Sequence, residues 1–134
     1  MAIKISFKKN LVEKNIRNYV LFTDENFKIR GLNNLSLSSQ ANLINKTINS
    51  QNSKEKDFLI FNISADKKII LIKTKNDQSS LENEKKGAKF YSFINTNLIL
   101  NSTFFENNIK ETCPKNKYFL NEFFHGLQLR SYEF

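Results

Sequence analysis

The side chains of this chain that are able to do chemistry are few, and they stand far apart. His125 is the single histidine, next to Phe124 in an apolar stretch of helical spacing. A zinc site draws its ligands from Cys, His, Asp and Glu held together. No Cys or second His accompanies His125, which therefore reads as a helix-surface or partly buried structural residue. Cys113 is the single cysteine, which excludes an intramolecular disulfide and a cysteine-based metal site. It precedes Pro114 in a polar loop, without a helix N-terminus or basic pair to favour its thiolate, and reads as an incidental thiol.

The carboxylates do not converge either. Asp24, Asp57, Asp66 and Asp77 fall at expected strand ends or turns, where Asp serves local backbone hydrogen bonding. Two-metal hydrolysis needs several carboxylates within a few Å of both ions, and no expected helix or strand presents such a set. The three glycines, Gly31, Gly87 and Gly126, are too scattered for a phosphate-cradling loop. Gly126 lies inside an expected helix, where it costs about 1 kcal/mol relative to Ala, so close packing is its expected purpose. On these grounds no residue is assigned a catalytic, cofactor-binding or metal-ligating role.

The elements that would position these residues alternate between strand and helix periods. Ile3, Ile5 and Phe7 predict a first strand, and 19–22 a second, closed by the turn-forming Asp24-Glu25-Asn26. Leu37, Ala41, Ile44 and Ile48 form a helical stripe that Ser36 or Ser38 would cap. After a polar loop at 49–56, the runs 58–61 and 69–72 flank a tight polar turn and predict an antiparallel hairpin. Apolar residues on both faces of these strands require covering layers on either side of the sheet.

Ser79 and Glu82 fit a capping box. The helix it opens carries Leu81, Ala88, Tyr91 and Ile94 on one face and Glu82, Glu84, Lys85, Lys86 and Lys89 on the polar one. Residues 98–100 read as a strand and Pro114 as a break. Residues 118–129 form the last helix, with Leu120, Phe123, Phe124 and Leu127 at i, i+3, i+4 and i+7. The alternation predicts one α/β domain over residues 1–134, without an internal repeat.

With 40% hydrophobic and 25% charged residues, the composition is that of a soluble globular chain. A net charge of +8 admits nucleic acid or another anionic partner, but the cations are dispersed. Residues 1–67 carry 11 basic and 6 acidic side chains, residues 68–134 carry 10 and 7, and the longest runs are the pairs Lys8-Lys9, Lys67-Lys68 and Lys85-Lys86. Asn, Lys, Ile and Phe, all with A/T-rich codons, supply about half of the chain, so the charge reads as a solvated surface inflated by codon bias. The 13 Phe and 4 Tyr read as core, with one ring each of Phe104-Phe105 and Phe123-Phe124 expected to face a partner. The N-terminus has a strand pattern rather than a signal peptide, and no segment approaches the ~20 apolar residues of a bilayer span. A cytoplasmic location without a membrane partner is expected.

The stretch His125-Gly126-Leu127-Gln128-Leu129-Arg130-Ser131-Tyr132-Glu133-Phe134 resembles the end of the N-terminal domain of M17 leucyl (cytosol) aminopeptidases. There a small residue, a leucine, an arginine and Ser/Gly-Tyr-x-Phe close a helix before the linker to the catalytic domain. Gly126, Leu129, Arg130, Ser131, Tyr132 and Phe134 match that pattern. The upstream order is similar: a strand at 58–61, its hairpin partner at 69–72, and the helix from Leu81 through Gly87, Ala88 and Tyr91. The resemblance covers essentially the whole chain.

The resemblance implies a macro-domain-like three-layer α/β/α sandwich with a mixed sheet. It also implies a parent enzyme that is a cytoplasmic homo-hexamer, a metallopeptidase releasing N-terminal residues, leucine prominently, with two divalent ions (Zn or Mn). In that family the metal ligands and catalytic Lys and Arg lie in a C-terminal domain, around Asn-Thr-Asp-Ala-Glu-Gly-Arg-Leu. That motif is absent from this sequence; the nearest fragment, Asn95-Thr96-Asn97-Leu98, lacks the carboxylates. The expectation is a non-catalytic assembly or regulatory domain, a fragment or separately encoded N-domain, inactive alone and without a cofactor of its own. Its partners would be its catalytic domain and neighbouring subunits. A basic nucleic-acid-binding module is the alternative. No ligand loop of true macro domains is matched, so nucleotide or ADP-ribose binding is not expected.

Overall fold

Two runs rich in β-branched and aromatic residues form the centre of the structure, Asn18–Thr23 (β1) and Lys68–Lys73 (β3). The computed structural model describes residues 15–31, 44–46, 48, 56–75, 77–99 and 101–132. The strand expected at Ile3, Ile5 and Phe7, the Lys8-Lys9 pair, Leu37, Ala41, the Ser36 or Ser38 cap and most of the 49–56 loop lie outside these residues. Among the described ones, β1 and β3 pair in parallel, with Asn18 opposite Lys68 and Thr23 opposite Lys73. Phe58–Asn62 (β2) pairs antiparallel with β3, which is the expected hairpin. Further along, Ser80–Thr96 (α1) leads to the short Thr103–Phe104 (β4), which joins the far edge of β1 in parallel. The strand order is β2-β3-β1-β4, a mixed sheet in an α/β domain.

Alternation along the strands sorts the core into two layers. Tyr19, Leu21, Leu59, Ile69 and Leu71 cluster on one face with Ile16, Phe27 and the helical residues Ile44 and Ile48. Val20, Phe22, Ile70 and Ile72 lie on the other, beneath α1, Glu106–Thr112 (α2) and Phe119–Ser131 (α3). A fully buried side chain of this size contributes about 1.5–3 kcal/mol, so strands apolar on both faces are stable only with both faces covered. Phe105 stacks on Tyr19 in the first layer, and Phe104 packs against Phe22, Phe90, Phe123 and Phe124 in the second. Phe123 is fully buried, while Phe104, Phe105 and Phe124 pack against these layers and stay half-buried.

Helix α1 begins as its sequence dictates. The Ser79 hydroxyl accepts from the Glu82 N–H at 3.2 Å, but it also donates to the Glu82 carboxylate, so only the serine half of the capping box forms. The helix end overturns the strand expected at 98–100 for Leu98 and Ile99, Leu100 lying outside the described residues. Leu98 adopts φ +57°, its N–H donates to Asn95 O, and the Ile99 N–H reaches back to Ile94 O. That is a Schellman stop, with Ile94 and Ile99 both packed in the second layer. Leu98 and Ile99 read as a strand but end a helix, and the strand follows at β4.

The buried face of α1 is also rotated from the expected one. Asn83, Gly87 and Phe90 are buried, whereas Leu81 is 59% exposed. The cause is the neighbouring helix α3. A methyl group placed on Gly87 would meet the Phe123 carbonyl, and one on Gly126 would meet the Glu84 carbonyl. The two helix backbones are thus in direct contact at paired glycines, the close packing anticipated for Gly126. Asn83 fits this interface because its amide donates to Asn116 Oδ1 and Glu122 Oε1, each at 3.1 Å.

One buried amide completes the sheet. Helix α2 presents Asn108, fully buried, to the end of β1. Its Oδ1 accepts from the Phe22 N–H at 2.7 Å, and its Nδ2 donates to Phe22 O at 3.1 Å and Arg30 O at 2.7 Å. The side chain thereby stands in for the peptide that β4 is too short to offer.

Gly126→Ala is expected to lower stability by about 2 kcal/mol, because backbone overlap outweighs alanine's helix preference; a urea denaturation midpoint at or above wild type would refute this. Leu98→Gly is expected to raise stability by about 0.5–1 kcal/mol, since the leucine is 84% exposed and little packing is lost. The same urea titration, with an unchanged slope, reads that gain.

Candidate functional site

The residues weighed for chemistry do not come together. His125 is exposed on α3, its Nε2 3.9 Å from the Glu84 carboxylate. Asp24 Oδ1 accepts from the N–H groups of Asn26 and Lys28, and Asp66 from the Ser64 hydroxyl, the local roles expected of turn aspartates. Among the described residues, no group of three or more His, Cys, Asp and Glu is placed to hold a metal ion.

In open sheets with parallel strands, ligands commonly sit beyond the carboxyl ends of the strands. Here that position, between β1 and β3, is closed. The Thr74 N–H and hydroxyl both donate to Thr23 O, at 2.9 and 2.7 Å. The same hydroxyl lies 2.9 Å from the Cys113 Sγ, and all three residues are buried. Burial pushes the Cys113 thiol above its ordinary pKa, the Thr74 hydrogen bond pulls it back in part, and the nearby Asp24 adds to the rise. Cys113 is a packed, protonated plug rather than a nucleophile.

Among the described residues the fold builds a charged cleft. Asp57, at the leading end of β2, faces α1, and Lys75 and Gln78 form the chain leaving β3. Together with Glu82, Lys85, Lys86 and Lys89 they line a shallow cleft. The α1 residues stand at i, i+3, i+4 and i+7, one helical face, turned outward by the Gly87–Gly126 packing on the opposite side. Asp57 is fixed from below, its carbonyl accepting from the Lys73 N–H at 2.9 Å. Its carboxylate takes Lys86 at 3.2 Å and Lys89 at 3.6 Å. The Lys86 side chain is only 11% exposed, its stem lying along the protein and its head on Asp57. Partial burial pushes the Asp57 carboxyl up, but Lys86, through charge and hydrogen bond, and then Lys89 and Lys73 outweigh it and hold the pKa below its ordinary 3.8.

Four lysines against Asp57 and Glu82 leave the cleft with a net charge of +2. Asp57 is committed to Lys86 and Lys89, and Glu82 receives the Ser79 hydroxyl. Lys75 and Lys85 have no ion-pair partner among the described residues. Gln78 Oε1 accepts from the Lys75 N–H at 3.0 Å, which leaves its amide nitrogen as a donor. The arrangement thus sets an excess of positive charge beside a neutral amide donor. In the sequence only the Lys85-Lys86 pair and the polar face of the helix announced it; Asp57 and Lys75 arrive through the sheet.

No family model matches the chain, and no curated protein matches it either.

Because the folded pKa of Asp57 is depressed, its contribution is present above about pH 4 and is lost as pH falls through the folded value. Asp57→Asn should cost less than about 1 kcal/mol at pH 7, as befits a partly exposed pair, and the gap from wild type should close in acid. Urea titrations at both pH values check this, and a gap that widens in acid would contradict it.

Proposed function

We propose that the chain acts as the non-catalytic N-terminal domain of an M17 leucyl-aminopeptidase-type metallopeptidase, packing on a catalytic domain and neighbouring subunits of a cytoplasmic homo-hexamer. The observation that carries this reading is the environment of the family-like segment. Gly126 lies at the backbone contact with α1, Leu127 and Ser131 are buried, and the Ser131 hydroxyl donates to Gln128 O at 2.7 Å. Leu129 and Tyr132 in the same segment remain 51% and 52% exposed. The segment thus divides into residues that seat the last helix and apolar residues that offer surface to another domain.

The mixed sheet with apolar layers on both faces is compatible with a macro-domain-like three-layer sandwich. Peptide hydrolysis by two Zn or Mn ions belongs, in this reading, to the catalytic domain. The chain's contribution is to hold that domain in its assembly and to shape access to it.

Purified chain, mixed with a separately produced M17 catalytic domain, should raise the assembly to hexameric mass by light scattering and increase hydrolysis of a leucyl amide in Mn or Zn. The chain alone should hydrolyse none. Leu129→Glu should weaken the association by about tenfold, equivalent to roughly 1.4 kcal/mol. Mass and activity indifferent to the chain would defeat the proposal.

A further inference from the structure

The lysine cleft is not accounted for by an assembly role. Its cations come from two separate pieces of chain, Lys75 after β3 and Lys85, Lys86 and Lys89 on α1, and the sheet edge brings them together. Like charges gathered on one surface repel, and Asp57 and Glu82 neutralise only part of the excess. Lys86 and Lys89 are held in place by Asp57, so two ammonium groups are pre-positioned. Lys75 and Lys85 extend beside them without an ion-pair partner among the described residues. The first turn of α1 adds potential of the same sign.

We propose that this cleft binds a phosphate group, as the free ion or as a small phosphate monoester, through Lys75, Lys85 and Lys89 with the Gln78 amide as a neutral donor. Three features select this ligand class. The lining residues include no aromatic ring, so nothing is present to stack a base. The cleft has a volume of about 220 Å³, below the 300–1,000 Å³ range usual for larger organic ligands and ample for a phosphate. The four lysines line this one small cleft, which suits a compact dianion better than an extended nucleic-acid backbone. Asp57 is a positioning residue here. It orients Lys86 and Lys89 while subtracting one charge from the site.

The test is a titration of the intact chain with inorganic phosphate, glycerol 3-phosphate and a short DNA duplex, with chloride as the ionic-strength control, followed by NMR of the lysine side chains. Saturable shifts confined to Lys75, Lys85, Lys86, Lys89 and Gln78 are expected with phosphate or the monoester. Preference for one over the other identifies the source of the phosphate. Lys75→Gln and Lys85→Gln, at exposed positions, should each weaken binding about three- to fivefold, and Lys110→Gln, outside the cleft, should not. Circular dichroism identical to wild type would show that these variants fold. Shifts spread evenly over the lysines, chloride acting as well as phosphate, or unchanged affinity in Lys85→Gln would overturn the site. Tight duplex binding with a steep salt dependence and no saturable phosphate shift would overturn it too, in favour of a nucleic-acid surface. None of these readouts depends on peptidase activity, so the cleft and the assembly role succeed or fail separately.

Discussion

The backbone contact between α1 and α3 at Gly87 and Gly126 is the constraint from which the exposed chemistry of this domain follows. Two helices approach this closely only where neither carries a Cβ at the contact. Once Gly87 is turned inward, helical geometry sends Asn83 and Phe90 inward with it and places Glu82, Lys85, Lys86 and Lys89 on the flank above Asp57. A helix seated instead on its larger apolar residues, Leu81 and Ala88, would carry a different lysine set to the sheet edge. The charged cleft is thus a consequence of how the neutral side of the helix packs.

The rest of the second layer is arranged around that contact. Phe22 on β1 meets Phe119 and Phe123 edge to face, with centroids 5.1 and 5.3 Å apart, and Phe90 bridges to Phe104 and Phe123. Such pairs add about 0.5–1.5 kcal/mol beyond burial, and their geometry fixes the height of α3 above the sheet. Polar groups drawn into this region are matched rather than left open. Asn83 exchanges amide hydrogen bonds with Asn116, and Asn108 takes both polar groups of Phe22. Each pairing avoids the cost of a buried unsatisfied donor or acceptor. The phenylalanines of this layer thus serve packing, and the strand carboxyl ends, closed by Thr74 and Cys113, leave little room for a ligand there.

Much of this was legible in the order of the residues. The hairpin of β2 and β3, the central strand β1, the last helix and the Ser79 cap all follow from periods of two or 3.6 and from local hydrogen-bonding chemistry. Elsewhere a residue's role is set by a contact that the local period does not encode, near in sequence for Leu98 and distant for Leu81 and Asn108. Leu98 took the left-handed position usually given to glycine because Ile99 had to fold back onto Ile94. Leu81 was left outside because Gly126 drew a different face inward. Asn108, an unremarkable polar residue in sequence, became a surrogate strand because β4 is two residues long. The cleft is likewise encoded in no single segment, since Lys75 and Asp57 are brought to α1 only by the pairing of β2 with β3.

The measurement closest to the centre of this account is the proton–proton NOE between the Hα atoms of Gly126 and the backbone of Glu84, and between those of Gly87 and the backbone of Phe123, in the wild-type chain. Direct backbone contact predicts strong cross-peaks for both pairs, together with NOEs from Phe90 to Phe123. Absence of the glycine cross-peaks, with Leu81 instead showing contacts to α3, would mean that α1 seats on its larger apolar face. It would also mean that the lysine cleft does not exist in the form described.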